Sequence, residues 1–257
     1  MRMICVAAFL SAMSFMRANE MSAAEPVPQK TCNLERTIKI TMTYLLYLPK
    51  DYEQKPSWPL MLYLHGGGER GKGPDAVKRT GPPQMIEAGH PFPFIVVSPL
   101  CPKERWWEPL ELTALLDDIV RQYKVDQDRI YVMGHSMGGF GTWLLAAYTP
   151  NRFAAVVPIC GFGSDPLLVR LFPNTPVWVF HGAKDQLVPL ERSKQMVEAL
   201  KKCGGSVKFT VYPEAGHDAW TQTYANPEVY EWLLQQKRTP KKPRRIDKVN
   251  DSSVQDN

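Results

Sequence analysis

The 257-residue sequence predicts an α/β protein: one mainly parallel, twisted sheet with helices packed on both faces. Three observations predict it. Short apolar runs alternate with segments of helical periodicity between residues 35 and 236. No linker divides that range, and no repeat of ~20–50 residues runs through it. Apolar residues make up 44% and charged residues 22%, enough for a large core, which excludes a disordered, collagenous or coiled-coil chain. Strand–helix alternation of this kind is satisfied by right-handed crossovers that lay successive strands parallel under covering helices.

The elements follow in order. Thr37–Leu48 (TIKITMTYLLYL) is rich in β-branched and aromatic residues and reads as antiparallel strands leading into the sheet. Pro59–Leu64, Phe94–Ser98, Arg129–Met133, Ala154–Ile159, Val177–Phe180 and Val207–Val211 are short, nearly continuous apolar runs. A strand covered on both faces requires that pattern. Between them lie helical segments at Leu110–Tyr123, Met137–Ala147, Leu190–Lys202 and Pro227–Gln236. In the first, Leu112, Leu115, Leu116 and Ile119 form one apolar stripe.

The ends differ from this body. Met3–Met16 is an apolar run flanked by Arg2 and Arg17. It falls short of the ~20 residues of a membrane span, so no stable span is expected. Ser22 and Ala24 offer small residues for cleavage, so 1–24 reads as a signal peptide and the protein as secreted or periplasmic. Residues 25–236 read as the one folded domain, and the Lys/Arg-rich segment 237–257 reads as a basic disordered tail. The net charge of +5 belongs to the ends, because 25–236 holds 22 basic and 22 acidic residues. A nucleic-acid partner is therefore not expected. Cys32, Cys101, Cys160 and Cys203 permit a disulfide without demanding one; buried free thiols and a single bridge stand equally open. Oligomeric state is not legible.

The chemistry concentrates at four strand ends. After Arg129–Met133 comes Gly134-His135-Ser136-Met137-Gly138, a G-x-S-x-G pattern entering a helix. A serine hydroxyl needs to stand clear of the sheet where a base can reach it, and a sharp strand-to-helix turn achieves that. After Pro59–Leu64 comes His65-Gly66-Gly67-Gly68-Glu69-Arg70-Gly71, whose Gly67 N–H, with that of Met137, is suited to receive an oxyanion. Glu69 and Arg70 read as a pair that stiffens this loop. Asp185 follows the strand Val177–Phe180, and His217 follows Val207–Val211 on a small turn. The order Ser136, Asp185, His217 is that of a nucleophile, an orienting acid and a general base. His65, His135 and His181 each adjoin a strand end and a glycine and read as packing residues; Asp218 is a rival acid. No metal-ligand spacing is present, so neither a metal nor another cofactor is expected.

The stretches LHGGGERG, RIYVMGHSMGGFGTW, VWVFHGAKDQLVP and YPEAGHDAW resemble single-domain serine esterases of the α/β-hydrolase superfamily over roughly residues 35–236. Within it the chain is similar to the group labelled phospholipase/carboxylesterase, feruloyl-esterase-like or "predicted peptidase". It resembles dienelactone hydrolases less, since they use a cysteine where Ser136 stands. The resemblance implies an α/β-hydrolase fold and an esterase working through an acyl-enzyme on Ser136, Asp185 and His217, with Gly67 and Met137 as oxyanion donors. In the strand order usual for that superfamily, two strands separate those leading to Cys101 and Cys160. About 14 Å then lies between them at ~4.8 Å per strand, too far for a disulfide.

The segment from Cys160 to Val177 is too short for a large cap domain, so an open site is expected. Small-molecule or polymer-borne esters, such as acylated polysaccharide or phenolic esters, suit such a site. Trp106, Trp107 and Trp220 are candidates for an aromatic shelf beneath a sugar or phenolic group, with loop packing as the alternative for each. Two other functions stay open: a serine peptidase on the same triad, and a polymer-binding module without activity. Acyl transfer to an acceptor other than water would use the same intermediate.

Overall fold

The computed structural model describes residues 30–163 and 165–238, so the expected signal peptide and nearly all of the expected tail lie outside the described residues. The described residues divide into two units, 30–39 and 40–238. Residues 30–39 of the first carry no helix or strand. Everything that follows concerns the second.

Its centre is a seven-stranded sheet in the order β1-β3-β2-β4-β5-β6-β7. The strands are β1 (Tyr44–Tyr47), β2 (Trp58–Leu64), β3 (Ile95–Pro99), β4 (Val125–His135), β5 (Ala155–Ile159), β6 (Val177–Gly182) and β7 (Val207–Tyr212). Only β1 runs antiparallel, pairing Leu45 with Ser98 on β3; all other pairings are parallel. Thr37–Leu48 thus contributes one short strand rather than several. Every residue of β2, β3, β5 and β6 is buried, which is why these segments read as continuous apolar runs.

Alternation along the strands divides the core into two layers. Leu60, Leu62 and Leu64 of β2 face α3 (Pro109–Gln122), α4 (Met137–Tyr148) and α5 (Leu190–Lys202), through Leu112, Trp143 and Leu200 among others. Met61 and Tyr63 face the opposite layer. That layer holds residues of α1 (Pro74–Val77), α2 (Gly81–Glu87), α6 (Trp220–Ala225) and α7 (Pro227–Gln235), such as Val77, Tyr224, Val229 and Leu233. Truncating one such buried leucine to alanine typically costs ~2–5 kcal/mol. Three helices were not legible in advance. α2 begins Gly81-Pro82-Pro83, and its prolines sit in the first turn, where their missing N–H costs no hydrogen bond. α1 and α6 are too short to show periodicity.

Cys101 follows β3 and Cys160 follows β5, with β2 and β4 between those strands, and both thiols are buried and free. Cys32 and Cys203 are free and exposed. The body extends past the expected boundary. The Arg238 N–H donates to the Asp128 carbonyl at 2.8 Å, and its guanidinium reaches the Asn151 carbonyl at 3.1 Å.

Candidate active site

The parallel strands deliver their C-terminal ends, and the loops that follow, to one edge of the sheet. Three of those loops meet there. Ser136 sits between β4 and α4 at φ 53, ψ −116, a backbone state that costs a non-glycine residue ~1–3 kcal/mol. The turn is held by the Ser136 N–H on the Ile159 carbonyl at 2.9 Å and by the first α4 bond, Phe140 N–H to the Ser136 carbonyl, at 3.0 Å. A Cβ at Gly138 would overlap the Leu64 carbonyl, so only glycine lets α4 start against the end of β2. The loop carrying the histidine closes in the same manner. A Cβ at Gly182 would overlap the Gly216 carbonyl, and the Lys184 N–H reaches the Ala215 carbonyl at 2.9 Å.

This closure puts three side chains in line. His217 Nδ1 lies 2.7 Å from Asp185 Oδ2, and His217 Nε2 lies 2.9 Å from Ser136 Oγ. Because the carboxylate can only accept, Nδ1 carries the proton and the Nε2 lone pair faces the serine hydroxyl. Asp185 is fixed from behind by the Leu187 and Val188 N–H groups, each 2.9 Å from Oδ1. Its side chain is fully enclosed. The rival Asp218 instead accepts from the Thr221 N–H at 3.1 Å and the Thr221 hydroxyl at 2.8 Å, opening α6.

The loop after β2 is firm at its base and open at its tip. The Cys101 N–H donates to His65 Nε2 at 3.0 Å, which leaves Nδ1 to donate to the Gly66 carbonyl at 2.7 Å. Burial pushes His65 down to about 4 and His135, beneath the same loop, down to about 3, so both are neutral. Tyr224 Oη lies 3.0 Å from His135 Nδ1. Gly67 and Gly68 stand exposed, and a Cβ on either would meet nothing. Met137 opens α4, where the first N–H groups have no acceptor within the helix.

Glu69 and Arg70 do not pair. Arg70 donates to the Arg105 carbonyl at 3.1 Å. Glu69 turns inward, with Oε2 3.8 Å from His65 and 3.9 Å from His135, and burial raises its carboxyl above the usual range.

The three tryptophans separate. Trp107 is 3% exposed, and its indole N–H donates to the His65 carbonyl at 3.2 Å. It belongs to the core beneath α4 and offers no shelf, which corrects the expectation for it. Trp106 is 51% exposed, with Phe140 at 5.5 Å and Phe162 at 6.1 Å between ring centroids. The two phenylalanines carried no signal in the sequence, since neither stands in a motif. Trp220 lies half-buried between His135, at 4.5 Å, and His217, at 5.2 Å. Cys160, considered in the sequence only as a thiol or disulfide partner, also stands here. Its Sγ, an Asp185 oxygen and a His217 nitrogen all lie within 4.8 Å of one another. Burial pushes this thiol well up, so it stays protonated and is a poor metal ligand.

Comparison with known proteins adds family context. Residues 104–233, half of the chain, match the model of the dienelactone hydrolase family, a span that includes Ser136, Asp185 and His217. A "Putative carboxymethylenebutenolidase" of Methylorubrum extorquens is 35% identical over 102 residues, 37% of this chain and 35% of that protein. Acyl-protein thioesterase 1 of Gibberella zeae is 33% identical over 102 residues, 36% of this chain and 42% of that protein. The chain thus spans about two fifths or less of the length of these curated relatives. The crystal structure of a thermostable esterase superposes with a TM-score of 0.65 at 34% identity, covering 77% of this chain and 60% of that one. The match to dienelactone hydrolases is firmer than the serine at position 136 suggests.

Proposed function

This chain belongs to the dienelactone hydrolase family, and from that premise we propose that it is a carboxylic-ester hydrolase working through an acyl-enzyme on Ser136. The observation that carries the reading is the continuous set of hydrogen bonds from Ser136 Oγ through His217 to the enclosed Asp185. His217 Nε2 takes the hydroxyl proton as Oγ attacks the ester carbonyl. The tetrahedral oxyanion forms against the N–H groups of Gly67 and Met137, and Asp185 stabilises the imidazolium. His217 then returns the proton to the departing alcohol. Water enters, gives its proton to His217, attacks the acyl carbon and releases the acid as Ser136 recovers its hydrogen.

For substrate we favour an ester carrying an aromatic acyl group or a sugar, small or displayed on a polymer. Support comes from Phe140, one turn along α4 from Ser136, with Trp106 and Phe162 packed beside it. The link from β5 to β6 adds support, since its described residues hold only a short 3-10 turn, Pro166–Leu171.

The test is turnover of short p-nitrophenyl esters beside an aminoacyl-anilide, with Ser136→Ala as control. Ester turnover is expected to fall by at least ~10⁴-fold in the variant. Turnover that survives there removes Ser136 from the reaction, and anilide cleavage matching ester cleavage makes the protein a peptidase instead.

A further inference from the structure

His181, at the end of β6, is fully buried and takes no part in the reaction as proposed. Its Nε2 lies 2.9 Å from the Val188 carbonyl and 3.2 Å from Asp185 Oδ2. Both are acceptors, so Nε2 carries the ring proton. Nδ1 lies 2.8 Å from Ser193 Oγ on α5. In a ring that burial keeps neutral, Nδ1 accepts the Ser193 hydroxyl proton.

The consequence falls on Asp185. Its Oδ1 is held by two backbone N–H groups of its own loop, while Oδ2 faces two imidazoles, His217 at 2.7 Å and His181 at 3.2 Å. The final torsion of an aspartate is soft and roughly two-fold, so backbone bonds to one oxygen leave the other free to swing. The N–H of His181 restrains that swing at Oδ2, 3.2 Å away. The titratable groups facing Asp185 are thus His181 from β6, His217 from the loop after β7, and the protonated Cys160 thiol beyond β5.

We infer that His181 is a positioning residue: its Nε2–H holds the Asp185 carboxylate in the plane that faces His217, and Ser193, whose Oγ lies between His181 Nδ1 and the Gly161 carbonyl at 3.3 Å, braces the ring. The inference rests on the reaction assigned above to Ser136, Asp185 and His217.

Two readouts on the full-length protein test it: the rate at which a fluorophosphonate labels Ser136, and the separate values of kcat and KM for a p-nitrophenyl ester. His181→Leu is expected to lower both the labelling rate and kcat by ~10- to 100-fold, as a carboxylate displaced by a fraction of an ångström would. KM stays within about two-fold, because nothing that touches substrate has moved. His181→Gln, whose amide N–H reaches the same place, recovers most of the loss. Ser193→Ala keeps the ring and shows a smaller loss in kcat, again with KM little changed; it carries the test if His181→Leu folds poorly. A wild type that the probe labels, with unchanged labelling and kcat in both His181→Leu and Ser193→Ala, overturns the inference alone. A wild type that the probe does not label overturns the reaction and this inference with it.

Discussion

The turns after β2 and after β4 each carry three glycines within a few residues, and they use them in opposite ways. At Gly138, after β4, a single methyl would drive into the Leu64 carbonyl, so the glycine is a condition of packing. At Gly67 and Gly68, after β2, a methyl would meet nothing within 4 Å. There the small residue leaves backbone N–H groups open to whatever approaches the serine. One residue type therefore marks a tight seam in one loop and an unobstructed approach in the other. Composition cannot tell the two apart.

One expected effect breaks or keeps this contrast directly. Gly138→Ala forces backbone against backbone and is expected to cost ~3 kcal/mol. In a chain of this size that lowers the melting temperature by roughly 6–12 °C. Gly67→Ala is expected to stay within ~0.5 kcal/mol of wild type. Equal losses in a thermal melt would end the distinction.

A second effect probes the floor beneath the open loop. Burial pushes His65 down to about 4 and His135 down to about 3 in the folded protein, against ~6.5 when unfolded. Their folded values lie below the unfolded one, so their contribution is complete above pH ~6.5 and is lost as pH falls toward 4. Each histidine contributes a slope of up to ~1.4 kcal/mol per pH unit, about 4 kcal/mol for the pair by pH 5. Denaturant midpoints taken from pH 7 to 5 should show this, and His135→Gln should flatten the slope without abolishing it, since His65 and the buried His181 still contribute. A slope the variant leaves unchanged would remove His135 from the account.

The smallest effect sharpens the comparison. Ser136 holds φ 53, whereas no residue from His65 to Gly68 has positive φ. Ser136→Gly should therefore melt higher than Ser136→Ala, by about 1 kcal/mol. Equal melting of the two variants would show that the turn after β4 stores no such strain.

Much of this was legible in the sequence, for identifiable reasons. β2, β3, β5 and β6 are buried on both faces, so their apolar runs stand out, and α5 spans Leu190–Lys202, the range its helical spacing predicts. Ser136, Asp185 and His217 were found because each follows a strand end, in an order that carries chemistry. Trp106 and Trp107 show where such reading stops. They are adjacent and chemically identical, yet one is half-exposed beside Phe140 while the other lies in the core against His65.

The sequence by itself determined the α/β class, most strand and helix positions and the three residues that meet at the site, because periodicity and strand-end motifs are local properties. Only the tertiary structure decided that Glu69 turns inward from Arg70, that Trp107 supports the loop after β2 from below, and that His181 shares the carboxylate of Asp185 with His217. Each of those depends on a distance between segments far apart in the chain or on the rotation of one side chain. Packing of the whole sheet sets both.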